Sequence, residues 1–368
     1  MKILHTESSC GWGGQELRIL TESEGMRRRG HEVVLVAPPE SRIAPAARER
    51  GLEVHALPMG RKSPKGFLCM RDWLSRNEVD VVNTHSSTDS WLVALACATL
   101  RAAPPVVRTR HISAPVPRDA ATRWLYQTAT HGIVTTGETL RASLARDNGY
   151  DRARMVSVPT GIDTVRFAPG DRAAARAALG LPADKLLVGI VATLRSWKGH
   201  SYLVDAFASL KRDDALLLIV GDGPQEGNLR TKVASLGLGD RVRLCGNQAD
   251  VRPWLHALDV FALPSYANEG VPQSLVQAML CGLPCISTPV GSIAEAAVDG
   301  QTALMVPPED TAALAAALRR LLDDALLRAR LGAAARAHCA ARFSLEAMLD
   351  SMERVFADTV RSAAGRGR

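Results

Sequence analysis

Short blocks rich in Val, Ile and Leu recur along the chain, separated by longer stretches in which apolar residues fall three or four apart. The blocks Lys2–Thr6, Val33–Ala37, Val79–Thr84, Pro105–Thr109 and Gly132–Thr136 read as strands. Between them, Gln15–Arg29, Thr88–Leu100 and Glu138–Arg146 carry helical spacing. A second series places strands at Leu186–Ala192, Leu216–Val220, Arg241–Leu244, Asp259–Leu263, Pro284–Ser287 and Ala303–Val306. Its helices are expected at Ser201–Leu210, Gln225–Leu236, Gln273–Leu280 and Thr311–Leu322. Strands alternating with helices imply parallel sheets covered on both faces, and the blocks lack the polar alternation of a half-exposed strand. The expected fold class is therefore α/β, with two Rossmann-like doubly wound domains facing across a cleft. The first spans 1–165 and the second 166–344, with Thr160–Gly170 as an irregular, Gly- and Pro-bearing hinge. A capped helix at about 345–361 is expected to return to the first domain, and 362–368 to form a disordered tail.

Ligands of doubly wound sheets gather at the carboxyl ends of strands, so the turns that follow the strands hold the candidate chemistry. Gly11-Trp12-Gly13-Gly14-Gln15-Glu16 follows the first strand and opens a helix, a place where backbone N–H groups can meet an anion. It is neither a dinucleotide fingerprint nor a P-loop, since no third glycine and no Gly-Lys-Ser/Thr follow. Arg195 and Lys198 occupy the equivalent turn of the second series, three residues apart, and suit a diphosphate. Gly221-Asp222-Gly223-Pro224 is a further strand–turn–helix junction. The richest segment runs from Glu269 through Gly270, Val271, Pro272, Gln273, Ser274, Leu275 and Gln277. A carboxylate there leads into a helix N-terminus whose amides and dipole favour an anion.

Composition narrows the classes. The chain has 368 residues, 46% hydrophobic and 23% charged, enough apolar surface for large cores. The longest apolar run, Trp91–Leu100, is about half of the ~20 residues that span a bilayer, and the N-terminus enters a strand without a signal-peptide pattern. Seven scattered cysteines argue for a reducing, cytoplasmic setting. Cys281 and Cys285 lack the second pair that a metal site requires. The net charge of +7 sits mainly in the first half, where 22 Lys and Arg face 17 Asp and Glu in residues 1–165. That excess suits phosphates or an anionic membrane surface. Aromatic residues at 4% offer no stacking platform, so no nucleic-acid partner is expected.

In order and spacing, these segments resemble the retaining, nucleotide-sugar-dependent glycosyltransferases of family 4, which have the GT-B fold. The resemblance is carried by Gly13-Gly14-Gln15-Glu16, by Gly30-His31-Glu32-Val33 and by Pro159-Thr160-Gly161-Ile162-Asp163 with Phe167. It continues through Lys198-Gly199, Gly221-Asp222-Gly223-Pro224, and Pro264-Ser265 with Glu269-Gly270 and Pro272. It implies transfer of a sugar from a UDP- or GDP-linked donor to a hydroxyl of a glycan or lipid-linked acceptor. Lipopolysaccharide or surface-polysaccharide biosynthesis is the expected setting, on the inner face of the cytoplasmic membrane. It also implies that Lys198 and Arg195 stabilise the leaving diphosphate, Glu269 orients the donor sugar and His111 contacts the sugar or the acceptor. Donor contacts fall to Gly13, Gly14, Gly221, Gly223, Gly270, Val271, Pro272, Ser274, Leu275 and Gln277, with Glu16 and His85 as candidates on the acceptor side. No cofactor and no metal are expected, because the chain has no Asp-x-Asp pair and cationic side chains can take that part.

Two positions depart from the family pattern. Its second glutamate is Gln277 here, which keeps hydrogen bonding to hydroxyls and loses the charge. Its usual diphosphate arginine is Thr193, with Arg195 two residues on. Alternatives from other classes are a nucleotide-sugar epimerase of the same fold, a catalytically silent nucleotide-sugar-binding subunit, and a dinucleotide oxidoreductase.

Overall fold

The computed structural model describes residues 1–366. The chain divides into two compact units, Met1–Gly161 with the segment from Glu346 onward, and Ile162–Leu345.

The first unit contains β1 (Lys2–Thr6), α1 (Gly14–Arg28), β2 (Glu32–Ala37), α2 (Ile43–Glu49), β3 (Glu53–Ala56), α3 (Pro64–Arg76) and β4 (Val81–Thr84). It continues with α4 (Ser87–Ala98), β5 (Val106–Arg110), α5 (Ala120–Gln127), β6 (Gly132–Thr135), α6 (Glu138–Asn148) and β7 (Met155–Ser157). The strands form one parallel sheet in the order β3-β2-β1-β4-β5-β6-β7. Successive side chains of β2 serve opposite faces: Val34 and Val36 join Met70, Trp73 and Leu92, whereas Leu35 and Ala37 join Ile19, Leu20 and Ile43. Burial on both faces explains why these strands read as continuous apolar runs.

The second unit contains α7 (Arg172–Ala178), β8 (Leu186–Val191), α8 (His200–Leu210), β9 (Ala215–Val220), α9 (Glu226–Ser235), β10 (Val242–Gly246) and α10 (Arg252–Ala257). It then has β11 (Val260–Leu263), α11 (Gln273–Leu280), β12 (Cys285–Ser287), β13 (Ala303–Met305), α12 (Thr311–Asp323) and α13 (Ala325–Arg342). Its parallel sheet has the order β10-β9-β8-β11-β12-β13. In both sheets the strand order reverses beside the unit's first strand, between β1 and β4 and between β8 and β11. A crevice opens at such a point because successive crossovers leave in opposite directions.

The last helix, α14 (Leu345–Arg366), returns to the first unit. Arg29 at the end of α1 bonds Glu346, Asp350 and Glu353 on it. A side chain at Gly25 would collide with Leu349. The helix continues through 362–366, which corrects the expectation of a tail from 362. Residues 367 and 368 lie outside the described residues. The expected hinge at Thr160–Gly170 is also largely tied down. Ile162 exchanges backbone hydrogen bonds with Phe343 and Leu345, and Phe167 enters the second unit's core. Elements without a clear apolar stripe were not foreseen, among them β3, half exposed throughout, and the Ala-rich α13.

Candidate functional site

In the second unit the turns after β8, β9, β11 and β12 build one cluster at the carboxyl end of the sheet. Lys198 follows β8 and Glu269 follows β11, so the two face each other at the strand-order reversal. Lys198 Nζ donates to Glu269 Oε1 at 2.6 Å, and Ser265 Oγ donates to the same oxygen at 2.7 Å. Only 5% of the Glu269 side chain and 17% of the Lys198 side chain are exposed. Tyr266 N donates to Trp197 O at 2.8 Å, which locks the β8 and β11 turns together. Thr288 after β12 hydrogen-bonds the Ser265 carbonyl. A Cβ at Gly291 would run into the Glu269 carbonyl, so only glycine allows that approach.

The other expected donor residues divide by what their side chains do. Val271 and Leu275 point into the core, so any contact they make with a ligand runs through backbone. Pro272 is the N-cap of α11, and Ser274 and Gln277 lie half-buried on that helix. Gly270 is buried beside Glu269. Gly221 and Gly223 pack on the Ala192–Leu194 backbone, where a Cβ would clash. Their small size therefore serves the junction of two turns. Arg195 is exposed, its guanidinium 5.7 Å from the centre of the Trp197 ring, and its backbone carbonyl accepts from Lys198 N at 3.1 Å. His200, at the start of α8, was not singled out as a site residue; burial and then the Lys198 charge push its pKa down to about 3.

In the first unit the same topology brings β1 and β4 together. Thr6 Oγ1 donates to Asp89 Oδ2 at 2.9 Å, and Ser8 Oγ meets Ser86 Oγ. Three imidazoles line up across β1, β4 and β5: His5 Nδ1 lies 2.9 Å from His85 Nε2, and His85 Nδ1 lies 2.9 Å from His111 Nε2. His85 and His111, both expected candidates, border a cavity of about 540 Å³ shared with Gln15, Lys62, Arg108 and Arg110. Arg108 is 95% buried with its guanidinium 4.6 Å from the centre of the Tyr126 ring, and its Nε and Nη1 have no hydrogen-bond partner among the described residues. Arg110 Nη1 donates to Tyr126 Oη at 3.2 Å. Gly13 and Gly14 open α1 in this unit, and Glu16 is buried on its first turn.

Glu7 was missed, although a carboxylate directly after the first strand at the reversal point was a readable signal. It accepts from Ser9 N at 2.7 Å and from the Gln15 side chain. Burial, with Asp89 and Glu16 nearby, pushes its pKa up to about 8. All seven cysteines are free, and burial lifts Cys281 to about 12 and Cys285 well above the usual thiol value. Among the described residues, no group of three His, Cys, Asp or Glu side chains could hold a metal ion, and no helix is long and apolar enough to cross a membrane.

Comparison with known proteins supplies what geometry alone leaves general. Residues 171–338 match the family model described as "Glycosyl transferases group 1", and residues 12–166 match "Glycosyltransferase Family 4". The chain is 30% identical to the D-inositol 3-phosphate glycosyltransferase of Actinosynnema mirum, over 92% of this chain and 91% of that protein. The chain belongs to glycosyltransferase family 4. To the enzyme of the same name from Nocardia farcinica this glycosyltransferase is 35% identical, over 61% of its own length and about half (52%) of that relative. Its fold is that of the Anabaena HepE structure in complex with UDP-glucose, with a TM-score of 0.86, 22% identity and coverage of 98% and 100%. This family 4 glycosyltransferase thus has the GT-B fold.

Proposed function

We propose that the enzyme transfers a sugar from a UDP-sugar, with retention of anomeric configuration, to a hydroxyl of an acceptor that carries a phosphate group. The Lys198–Glu269 pair at the switch point of the second sheet carries this reading. Lys198 meets the charge that develops on the leaving diphosphate, together with the amides at the start of α11. Glu269 Oε1 is already engaged by Lys198 and Ser265. That carboxylate therefore anchors donor-sugar hydroxyls and the lysine, and the attacking group is the acceptor hydroxyl. Gln277 contacts donor hydroxyls as a neutral partner, and Arg195 supplies an additional cation near the diphosphate. No metal is needed for charge neutralisation, so turnover persists in EDTA. The sequence relatives are named for a phosphorylated polyol, D-inositol 3-phosphate, which supports the acceptor class. So do Lys62, Arg108 and Arg110 around the first unit's cavity, where Arg108 keeps donors unused.

Incubating the protein with UDP-sugars and phosphorylated polyols, and following UDP release and the product's anomeric proton, tests the proposal. Arg108→Ala should raise the acceptor KM with little change in donor KM. Conversion of the donor to another sugar nucleotide without acceptor would establish an epimerase instead. UDP-sugar binding without turnover against any acceptor would establish the silent subunit.

A second reading, a lipid-linked surface glycan such as lipopolysaccharide as acceptor, is favoured by the outer surface of α3 and α4. Leu68 and Leu95 are exposed there, beside Lys65 and Arg71. Cosedimentation with anionic vesicles, lost in Leu68→Glu, would support it.

A further inference from the structure

The three imidazoles of the first unit form one hydrogen-bonded line that ends on an ion pair. Their rings lie 5.2 Å apart centre to centre in both steps, stacked at 15° and then tilted at 32°. At the inner end, His5 Nε2 lies 4.0 Å from Glu22 Oε1, and Phe356 packs edge-on against the His5 ring. Glu22 Oε2 lies 3.4 Å from Arg18 Nε, and neither side chain is exposed.

The ion pair's charges can be read from its partners. Arg18 also contacts Val158 O at 2.7 Å, Thr160 Oγ1 at 3.3 Å and Met352 Sδ at 3.7 Å, all neutral. Burial pushes the Glu22 carboxyl up while Arg18 and Asn83 beside it pull it down; the buried guanidinium needs a counter-charge and Glu22 is the acid paired with it, so Glu22 is ionised. The amide of Asn83 agrees. Its Oδ1 accepts from Thr109 Oγ1 at 2.8 Å, which turns its Nδ2 toward Glu22 Oε1 at 3.4 Å as a donor.

A neutral imidazole has one N–H and one lone pair, and each N···N hydrogen bond needs one of each. All three rings are neutral at physiological pH. Burial and then Arg18 hold His5 near 3, and burial keeps His85 and His111 well below the usual 6.5. The line therefore has two states, with every N–H directed inward or every N–H directed outward. The outward state aims the His5 Nε2 lone pair at the Glu22 carboxylate; the inward state aims an N–H at it.

We propose that Glu22 sets the inward state, so that His5 and His85 act as positioning residues that leave His111 Nδ1 bare, a hydrogen-bond acceptor for a substrate hydroxyl at the cavity. His111 Nε2–H then donates to His85 Nδ1, and His85 Nε2–H donates to His5 Nδ1. The group recognised by His111 carries a hydrogen, as a sugar hydroxyl does, and a phosphate oxygen or a carbonyl is rejected there. That the hydroxyl belongs to the donor or the acceptor of glycosyl transfer rests on the function proposed above; the tautomer does not.

The test is multiple-bond ¹⁵N NMR of the full-length protein labelled at histidine, at pH 7.5 and without ligand. His111 should show a pyridine-like Nδ1 and a pyrrole-like Nε2, with the same pattern at His85 and His5. A protonated His111 Nδ1 overturns the proposal. In His5→Phe, which keeps a ring against Phe356, the His85 Nε2–H loses its acceptor. The remaining pair should reverse, exchanging the two His111 nitrogen signals. A His5→Phe protein that loses stability but keeps the His111 pattern also overturns it. If the variant does not fold, the wild-type spectrum decides. Because the readout needs no turnover, failure of the proposed acceptor chemistry would leave this result intact.

Discussion

Removing the Lys198 ammonium separates what the pair at the switch point does for stability from what it does for chemistry. Glu269 is almost fully buried, and Lys198 and Ser265 both bond its Oε1. Breaking a buried pair by deleting one partner costs about 3–5 kcal/mol. Lys198 keeps some solvent contact and Ser265 remains, so the low end applies, about 3 kcal/mol. For a unit of this size that corresponds to a fall in Tm of roughly 6–12 °C. Lys198→Met should show this fall in a thermal scan, and Glu269→Gln a comparable one. The double variant carries no stranded charge and should recover about 2 kcal/mol relative to additivity. Activity should behave differently. UDP release from the UDP-sugar donor proposed above should drop about 10²- to 10³-fold in Lys198→Met, because a fixed cation at the developing diphosphate is lost. The double variant should stay as inactive as the single ones. A wild-type Tm in Lys198→Met, or strictly additive single effects, would refute the energetic argument. Activity restored with stability in the double variant would refute the catalytic one.

Gly291→Ala should abolish turnover while the first unit retains its fold, since φ is +59° and the added methyl would strike the Glu269 carbonyl; limited proteolysis and UDP release check this. His200 stays neutral in the folded chain to about pH 3, while an unfolded histidine takes a proton below about 6.5. Wild-type stability is therefore lost as pH falls below 6.5, and His200→Leu escapes that loss. In urea titrations the difference should move in the variant's favour by about 1.4 kcal/mol per pH unit between pH 6 and 4, and parallel curves would refute it. Asp259 accepts from Arg172 at 2.7 Å, from buried Arg176 at 2.6 Å and from Leu187 N at 2.7 Å. Asp259→Ala should cost about 3 kcal/mol by stranding Arg176, read as a lowered urea midpoint.

The strands around both switch points were legible because each is buried on two faces and reads as an apolar block ended by glycine, proline or a polar turn. β1 and α11 match their expected bounds residue for residue. α13 was invisible because its alanines give no contrast between faces, and β3 because an edge strand carries polar residues. Lys198, Glu269, His85 and His111 were readable as chemistry at strand ends. The bonds that join Lys198 to Glu269 and His85 to His5 were not, because hydrogen bonds between residues 71 and 80 positions apart leave no mark on local spacing.

Local pattern thus settled that this chain makes two parallel α/β units and that its candidate site residues follow strands. The order of those strands, and with it the pairing of Lys198 with Glu269 and the alignment of His5, His85 and His111, came only from packing. Periodicity reports which face of an element is buried. Which elements become neighbours depends on the handedness of crossovers and the fit of helices over the sheet, and those are properties of the whole fold. Arg195 and Lys198 show the difference: three residues apart in sequence, one lies exposed on Trp197 and the other half-buried against a carboxylate.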